Sequence, residues 1–387
     1  MAAPEVHERR WSVLAVLAAF LVGGFAVDSP APANVGQAID SLQPACDGAD
    51  YDRRDTDRDG IGDACDPDRD GDGMDDVDEE GAGTDSHDPD TDNDTIMDGA
   101  DNCPRVVNAD QADADGDGRG DACDAGPARR ATWVWHCPGN VEDCMPAAEE
   151  VVAFAVDKGL GEVFVNFPPL HPQPPEWYKA VVDGASPHGI KVYALSGRNV
   201  WIDRPADAVA WFDQVAGVAD ASGIAFAGLH LDIEPWARDD WTGHENAIAL
   251  TYLGILENLT SRAHARGWTV EADIPFWLDQ KPEIRGGLLH EEIMRTVDMV
   301  TVASFRDTAA LITDFAENEI TAGDRLGKPV RVAVSVKPHE FEYVTFFDDG
   351  EAVMERNLRW VDEDHARSLR YAGVGINPYD FYKGMQP

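Results

Sequence analysis

Residues 226–236 read FAGLHLDIEPW and place three polar side chains at alternate positions of an otherwise apolar strand. A strand sends successive side chains to opposite faces, so His230, Asp232 and Glu234 share one face while apolar residues occupy the other. Acidic side chains are costly to bury unless they interact with one another or with a ligand. The stretch therefore predicts a buried strand whose polar face carries a binding or catalytic site.

Seven further runs of β-branched and apolar residues flank this strand, with amphipathic helical stretches between them. Near-continuous apolar strands that alternate with helices predict a parallel sheet buried on both faces. Eight such units in about 250 residues predict the α/β fold class, as a (β/α)8 TIM barrel. The runs are 131–136, 162–167, 190–197, 226–234, 269–277, 298–305, 330–337 and 371–379, and the helical stretches are 149–160, 176–189, 206–220, 251–267 and 288–297.

An open doubly wound sheet is the alternative arrangement of such units. Its nucleotide-binding version carries a glycine-rich phosphate loop after the first strand. No such loop follows residues 131–136. The sequence therefore favours the barrel and gives no support to a nucleotide ligand.

The catalytic and ligand-binding residues of such barrels lie at the carboxyl ends of the strands, where this sequence is polar and aromatic. We expect Glu234 to act as a general acid, because a neighbouring Asp232 would raise its pKa towards neutrality. The candidates for a second carboxylate are Asp273, Asp307, Glu340 and Glu342. The candidate substrate-binding side chains are Trp135, Arg198, His230, Trp236, Trp277 and Tyr379.

The fourth run resembles the fourth-strand motif DGxDxDxE of the chitinase and endo-N-acetylglucosaminidase family. The last two acids of the motif are present as Asp232 and Glu234, whereas Ala227 and His230 replace the two earlier acids. The resemblance implies that Glu234 protonates the leaving group. It also implies that Asp232 orients an acetamido group of the substrate, which then acts as the nucleophile.

Two further partial resemblances concern the sixth run and the loop after the seventh. Residues 297–307, VDMVTVASFRD, look like the sixth-strand segment of the same family, with Asp307 near its Tyr-Asp pair. The Glu-Pro at 234–235 is similar to the Asn-Glu-Pro of retaining glycosidases, although the Asn is missing. This second resemblance implies a nucleophile at Glu340 or Glu342. The resemblance to the chitinase family and the resemblance to the retaining glycosidases both imply Glu234 as the proton donor.

The region before the barrel carries carboxylates at alternate positions. Residues 113–124, DADGDGRGDACD, place acids at positions 1, 3, 5, 9 and 12 and glycine at position 6, which is the spacing of an EF-hand calcium loop. Residues 55–66 and 68–79 repeat this pattern, and residues 90–101 repeat it without the glycine. Because Ca²⁺ takes several hard oxygen ligands, the spacing predicts four calcium sites rather than a solvating acidic tail.

The predicted calcium ligands share these loop positions. They are Asp55, Asp57, Asp59, Asp63, Asp66, Asp68, Asp70, Asp72, Asp76, Glu79, Asp90, Asp92, Asp94, Asp98, Asp101, Asp113, Asp115, Asp117, Asp121 and Asp124.

Cysteines divide the acidic region into two related units that both end in GDACD. Residues 101–124 resemble the thrombospondin type 3 repeat through DNCP, a following Asn and Gln, and DxDGxGDxCD. The resemblance covers about residues 46–126 and implies an extracellular calcium-binding array with little regular secondary structure, clipped by disulfides. It pairs Cys103 with Cys123 and Cys46 with Cys65, leaving Cys137 and Cys144 to close a small loop. Six cysteines without a CxxC suit an oxidising compartment better than a zinc site.

The amino-terminal 27 residues predict a secretory signal, because a basic pair precedes an apolar run and small residues follow it. An uncleaved membrane anchor is the alternative. Composition then predicts a linker at 28–45, the repeat array at 46–126 and the barrel at 127–387. We therefore expect a secreted protein, outside the cell or on its surface.

The formal net charge of −42 disfavours nucleic acid as a partner, because phosphate would be repelled. The expected partners are Ca²⁺ and a glycan, with attachment to a cell surface or matrix. Two functions follow. In the first, the barrel is a glycoside hydrolase. In the second, the acids of the barrel form internal salt bridges, and the protein is a non-catalytic carbohydrate-binding or adhesive module. Calcium binding then determines how this module is displayed.

Overall fold

The computed structural model of the protein describes residues 54–113, 120, 122–123, 130–135, 146–169, 172–280, 283–366 and 368–386. The predicted signal and linker, together with Cys46, Cys137, Cys144, Asp115, Asp117, Asp121 and Asp124, lie outside these residues. The limits of the two domains at 46–126 and 127–387 stay predictions.

Eight parallel strands form a closed barrel in which neighbours follow chain order and the eighth strand pairs with the first. They are β1 (Arg130–Val134), β2 (Leu160–Asn166), β3 (Lys191–Ser196), β4 (Gly228–Leu231), β5 (Thr269–Pro275), β6 (Met299–Ala303), β7 (Val330–Ser335) and β8 (Tyr371–Asn377). Each predicted run overlaps one strand, so the prediction of a TIM-like barrel is confirmed. A short antiparallel hairpin, Glu283–Ile284 with Gly287–Leu288, lies outside the barrel sheet.

Helices alternate with the strands and form the outer layer of the barrel. The α-helices of the described residues are α1 (Asp76–Ala82), which lies in the array, and α2 (Ala148–Asp157), α3 (Pro175–Ala185), α4 (Pro205–Ser222), α5 (Glu245–His264), α6 (Leu289–Thr296), α7 (Ala309–Leu326), α8 (Glu351–Asp364) and α9 (Tyr379–Tyr382). In α4, Trp211, Phe212 and Val215 recur at helical spacing and are buried against the barrel. None of the helices in the described ranges combines the length and apolar character that a membrane span requires.

Two of the outer helices, α7 and α8, are not among the helical stretches named from the sequence. The buried face of α7 includes Glu319, and that of α8 includes Asn357 and Asp362. These polar residues weaken the apolar period by which a helix is predicted from sequence. The burial of Asp362 is compensated in the tertiary structure, since Arg130 Nη1 at the start of β1 lies 2.8 Å from its carboxylate.

The barrel interior contains a small apolar cluster that is separate from the layer between strands and helices. Its members are Ala131, Trp133, Phe164, Tyr193, Leu195 and Ala333. Gly375 on β8 leaves room for the Trp133 ring, because a Cβ at this position would lie 2.4 Å from the indole Cη2 atom. The large indole therefore reaches the barrel axis and can contact polar side chains from other strands.

The array in front of the barrel consists mainly of turns. In all three described acidic loops the fourth and sixth positions have positive φ, at Arg58 and Gly60, Gly71 and Gly73, and Asn93 and Thr95. Cys103 and Cys123 form the predicted disulfide, with a Cα–Cα distance of 5.7 Å, and Cys65 is disulfide-bonded as well. Within the described part of the array, α1 is the single α-helix.

Helix α1 joins the array to the barrel. It contacts α7 and α8, and the side chain of Ala82 at its end belongs to the barrel's apolar core. Arg356 Nη1 on α8 lies 2.6 Å from Asp78 Oδ2 on α1, and Arg105 forms an ion pair with Asp364. The helix that closes the second acidic loop therefore also carries the contact with the barrel.

Candidate functional site

The carboxyl end of β4 presents Asp232 and Glu234 at the mouth of the barrel, both partly buried. The backbone of β3 fixes this segment, because Ser196 O accepts a hydrogen bond from Asp232 N at 3.1 Å. Gly197 permits this close approach, since a Cβ there would lie 1.6 Å from Asp232 O. Glu234 then begins the 3-10 turn Pro235–Ala237.

Both carboxyl groups at the end of β4 are shifted towards the protonated form. Burial, and then the charge of Asp273, raise the pKa of Glu234 to about 7. Burial, followed by the charges of Glu234 and Asp273, also raises the pKa of Asp232 well above its ordinary value. Near neutrality this part of the mouth therefore offers a carboxylic acid that can donate a proton.

Asp273, on β5, is held from inside the barrel by two side chains. His230 Nε2 lies 2.9 Å from Asp273 Oδ1, and Trp133 Nε1 donates a hydrogen bond to Asp273 Oδ2 at 3.2 Å. His230 is fully buried, and its ring stacks on Phe164 with centroids 3.8 Å apart. The contacts fix both carboxylate oxygens of Asp273 at the mouth.

A second layer of charge lies below His230. Its ring nitrogen Nδ1 faces Glu271 Oε2 at 3.5 Å, and Glu271 Oε1 accepts a hydrogen bond from Arg331 Nε at 3.1 Å. Burial opposes the ionised form of Glu271, but Arg331 and His230 outweigh burial and lower its pKa to about 2. Arg331 also pairs with Glu162 on β2. The interior of the barrel therefore contains a continuous chain of ionised groups beneath the mouth.

Trp133, Glu271 and Arg331 belong to this network but are not among the site residues predicted from the sequence. A signal was available for Glu271, because it lies two residues before Asp273 on the same strand, and the parallel pairing sets it opposite His230. Tyr252 on α5 was missed as well. It is fully buried, and burial, followed by the charges of Asp273, Asp232 and Glu234, raises the pKa of its hydroxyl. Its helical position gave no indication of this proximity.

The other predicted carboxylates lie elsewhere around the mouth. The charges that act on Asp349 are those of Asp307, Asp348 and Glu342, so Asp307 and Glu342 share a different acidic neighbourhood. Asp307 is partly buried, and burial raises its pKa, whereas Glu340 and Glu342 are exposed. Among the predicted catalytic acids, the structure thus groups Asp273 with the two acids of β4.

The predicted aromatic side chains occupy different environments. Trp236 and Trp277 are partly buried and pack edge to face, with ring centroids 6.2 Å apart. Trp135 is also partly buried, and its Nε1 donates a hydrogen bond to Asn377 Oδ1 at 3.1 Å. Arg198 is exposed.

Tyr379 differs from the expectation of an open stacking face. Its side chain is 1% exposed and packs on Phe154, with ring centroids 5.0 Å apart. The ring therefore presents no face to a sugar in this structure.

In the array, three groups of acids could hold a metal ion. Within each group, one ligand atom per residue lies within 4.8 Å of the others, and the groups are Asp55, Asp57 and Asp59; Asp68, Asp70 and Asp72; and Asp90, Asp92 and Asp94. Several buried oxygens in these loops have no hydrogen-bond donor, namely Asp55 Oδ1, both Asp70 oxygens, Glu79 Oε2, Asp92 Oδ2 and Asp101 Oδ2. A buried carboxylate oxygen without a donor is costly, so the residues present fit a hard cation such as Ca²⁺.

The ninth position of each loop makes a different contact. Asp63, Asp76 and Asp98 accept hydrogen bonds from the backbone N–H at the second position, over 2.9, 3.1 and 3.0 Å. Each contact closes its loop. The predicted ligands at this position therefore have a loop-closing contact in the structure. At the twelfth position of the second loop, Glu79 is fully buried.

Comparison with known families identifies the array. Residues 54–79 and 75–111 match the thrombospondin type 3 repeat, which confirms the resemblance noted in the sequence. This part of the chain is an array of such repeats. No curated protein sequence matches the chain.

Solved structures similar to the chain include several glycoside hydrolases. A class V chitinase from Pseudomonas fluorescens Pf-5 is 13% identical, with 66% of this chain and 96% of that chain covered and a TM-score of 0.44. An endo-β-N-acetylglucosaminidase from Cordyceps militaris is 14% identical, with 65% and 81% covered and a TM-score of 0.43. The C-terminal domain of a chitinase-like protein from Desulfitobacterium hafniense DCB-2 is 12% identical, with 55% and 67% covered and a TM-score of 0.40.

Proposed function

We propose that the barrel is a glycoside hydrolase acting on a polysaccharide or glycan, with Glu234 as its general acid. The observation that carries this proposal is the carboxyl group of Glu234, which lies at the barrel mouth beside Asp232 and whose pKa is raised to about 7. Glycoside hydrolysis needs such a group to protonate the leaving oxygen while a second carboxyl acts on the sugar. The fourth-strand motif supports the same assignment.

In the proposed reaction Glu234 donates its proton to the glycosidic oxygen as the bond to the anomeric carbon breaks. Asp232 orients the substrate beside it. Positive charge develops on the sugar ring, and a carboxylate of the mouth that contacts the ring would stabilise it. Trp236 and Trp277 supply apolar ring surface next to these acids. Asp307 and Glu342 remain candidates for a carboxylate that contacts substrate.

The test is release of soluble sugar from chitin, peptidoglycan and matrix polysaccharides by the full chain in the presence of calcium. Glu234→Gln keeps the size of the side chain and removes the proton, so we expect release to fall at least about 100-fold. The matched control is Glu317→Gln, the same change at an exposed position of α7. Unchanged release by Glu234→Gln would remove this residue from the mechanism.

We further propose that the array binds Ca²⁺ and that the protein works outside the cell. The first, third, fifth and twelfth positions of each loop would supply the carboxylate ligands. The bound ions would offset the repulsion among them, with Kd values of roughly 10⁻⁴ to 10⁻³ M for an extracellular module. Asp70→Asn should weaken calcium binding in a calorimetric titration, whereas Asp88→Asn, an exposed acid between two loops, should leave it unchanged. Equal titrations of both variants would contradict the ligand assignment.

A non-catalytic carbohydrate-binding or adhesive protein is the second candidate, favoured by the replacement of two motif acids by Ala227 and His230. In that case the calcium array would set how the barrel is displayed, including attachment to a cell surface or matrix. Binding of a polysaccharide without product release, insensitive to Glu234→Gln, would support this function over hydrolysis.

A further inference from the structure

His230 occupies a position where the fourth-strand motif of the chitinase family has an acid. The structure shows which groups surround the imidazole at this position. The imidazole is fully buried on the barrel axis, and both of its nitrogens face carboxylates. Nε2 is 2.9 Å from Asp273 Oδ1, and Nδ1 is 3.5 Å from Glu271 Oε2. A neutral imidazole has only one N–H, so it would turn a lone pair towards one of these carboxylates.

Trp133 limits which nitrogen of His230 can carry a proton. Its Nε1 lies 2.9 Å from His230 Nε2 and 3.2 Å from Asp273 Oδ2. An indole nitrogen only donates, so a bond to Nε2 would require a lone pair there and would leave Nε2 without a proton for Asp273. When Nε2 is protonated, it donates to Oδ1 while the indole donates to Oδ2. Both oxygens of Asp273 are then satisfied, and a second proton on Nδ1, which faces Glu271 Oε2, makes His230 an imidazolium.

The charges around His230 come from four other strands and one helix. Asp232 and Glu234 share its strand, Glu271 and Asp273 face it from β5, and Arg331 and Glu162 continue the network from β7 and β2. Tyr193 donates to Glu162 from β3, and Tyr252 approaches the acids from α5. Two cations, His230 and Arg331, lie among three carboxylates there, and Lys191 Nζ on β3 lies 3.6 Å from the outer one, Glu162. Ionising Asp232 or Glu234 would add a second negative charge close to Asp273.

We propose that His230 and Asp273 form a positioning pair in which the buried imidazolium clamps Asp273 as an anion, and this fixed charge keeps the proton on Glu234. The proposal rests on the function given above and assigns Asp273 an electrostatic role. Asp273 does not attack the sugar and does not take up the proton. His230 then has a role at the position of the family's acid, because it supplies the cation that holds Asp273 in place.

The first test does not depend on turnover. In ¹⁵N-histidine NMR spectra of the full chain with calcium, His230, assigned through His230→Gln, should carry protons on both nitrogens at pH 7 and remain so through pH 8. Burial opposes this charge, and Asp273 and Glu271 raise the pKa of His230 to about 10. His290, also buried but facing the carbonyl of Leu278, provides an internal comparison and should be neutral. A neutral His230 at pH 7 would overturn the proposal, whether or not any substrate is found.

The second test uses Asp273→Asn, which keeps the shape of the side chain and removes the charge. Glu234, observed by ¹³C NMR, should titrate at a pH lower by about one unit or more. The alkaline limb of kcat/KM should move down by the same amount, with turnover retained at acidic pH. Asp298→Asn, which neutralises the partly buried partner of His264, is the matched control and should shift neither.

Two outcomes of the second test would overturn the proposal. Loss of turnover at every pH in a folded Asp273→Asn variant would make Asp273 a catalytic residue, and an unshifted titration of Glu234 would remove its electrostatic role. Trp133→Phe is a second variant that removes one hydrogen bond to Asp273 and leaves the charge. It should produce a smaller shift in the same direction, and a shift equal to or larger than that of Asp273→Asn would also contradict the assignment.

Discussion

The array and the barrel bury opposite kinds of side chain. Among the described residues of the array the buried set is mostly acidic, with Glu79, Asp70 and Asp98 among its members, and its buried apolar residues are Ala82, Pro104 and two disulfide cysteines. The barrel buries a large apolar core, and its buried charges include the network on the axis and the pair of Arg130 with Asp362. Cohesion in the barrel comes from apolar burial, whereas the proposed cohesion of the array depends on bound cations. The same chain would then combine both ways of holding a fold together.

Removal of calcium should have the largest effect and should separate the two regions. Without cations the carboxylates of the loops repel one another, so we expect a chelator to make residues 54–111 sensitive to protease while the barrel keeps its helical circular dichroism. Magnesium added in the same amount, without chelator, is the control for ionic strength. Identical protection of the array with and without chelator would contradict the proposal that bound cations stabilise the array.

Leu253→Ala should destabilise the barrel and leave calcium binding by the array unchanged. Leu253 lies on α5 and is fully buried in the apolar core. A cavity at such a site costs about 2–5 kcal/mol of unfolding free energy. Denaturant unfolding followed by tryptophan fluorescence measures this loss, with Leu250→Ala at an exposed position of the same helix as the control. An equal loss in both variants would contradict the assignment of the core.

Glu234→Gln should change how barrel stability depends on pH. Burial and Asp273 raise the pKa of Glu234 from 4.5 to about 7, so the folded state holds this proton more tightly than the unfolded state does. The stabilising contribution of the proton is complete below pH 4.5 and is lost as the pH rises to about 7, by about 3 kcal/mol. The variant should lack this loss when unfolding is measured at pH 5 and pH 8. A loss equal to that of the native chain would assign the shift to another group.

Thr95→Gly should stabilise the calcium-loaded array by about 1 kcal/mol. Thr95 occupies the sixth position of its loop with φ of +86°, where the two preceding loops have glycine. A β-branched side chain is strained in this region of the backbone, and glycine is not. Thermal unfolding of the array at saturating calcium measures the gain. A lower midpoint in the variant would show that the threonine side chain contributes more than its backbone strain costs.

Arg356→Ala should have the smallest effect and tests the contact between the two regions. The ion pair with Asp78 is partly exposed, so its loss should lower the unfolding free energy by at most about 1 kcal/mol. Arg359→Ala, at an exposed position of the same helix, is the control. If calcium loading stabilises the native chain and the Arg356→Ala variant equally, the ion pair does not connect the array to the barrel.

Much of the fold was predictable because its signals are local. All eight strands appear as apolar runs, and the acidic loops appear as a fixed spacing of Asp and Gly. The missed helix α8 shows the limit of such reasoning. Its buried Asp362 looks like a surface residue in the sequence and becomes a core residue only because Arg130 and Tyr371 bind it.

The repeat spacing, the number and order of the barrel strands, and the position of Asp232 and Glu234 at the carboxyl end of β4 follow from the sequence alone. These features depend on side-chain periodicity and loop geometry within a few residues. Three features follow only from the tertiary structure: Asp273 lies close to these acids, His230 lies between two carboxylates, and the Tyr379 side chain is buried. Charge and burial at those sites are set by residues from other strands, and no local pattern encodes which groups barrel closure brings together.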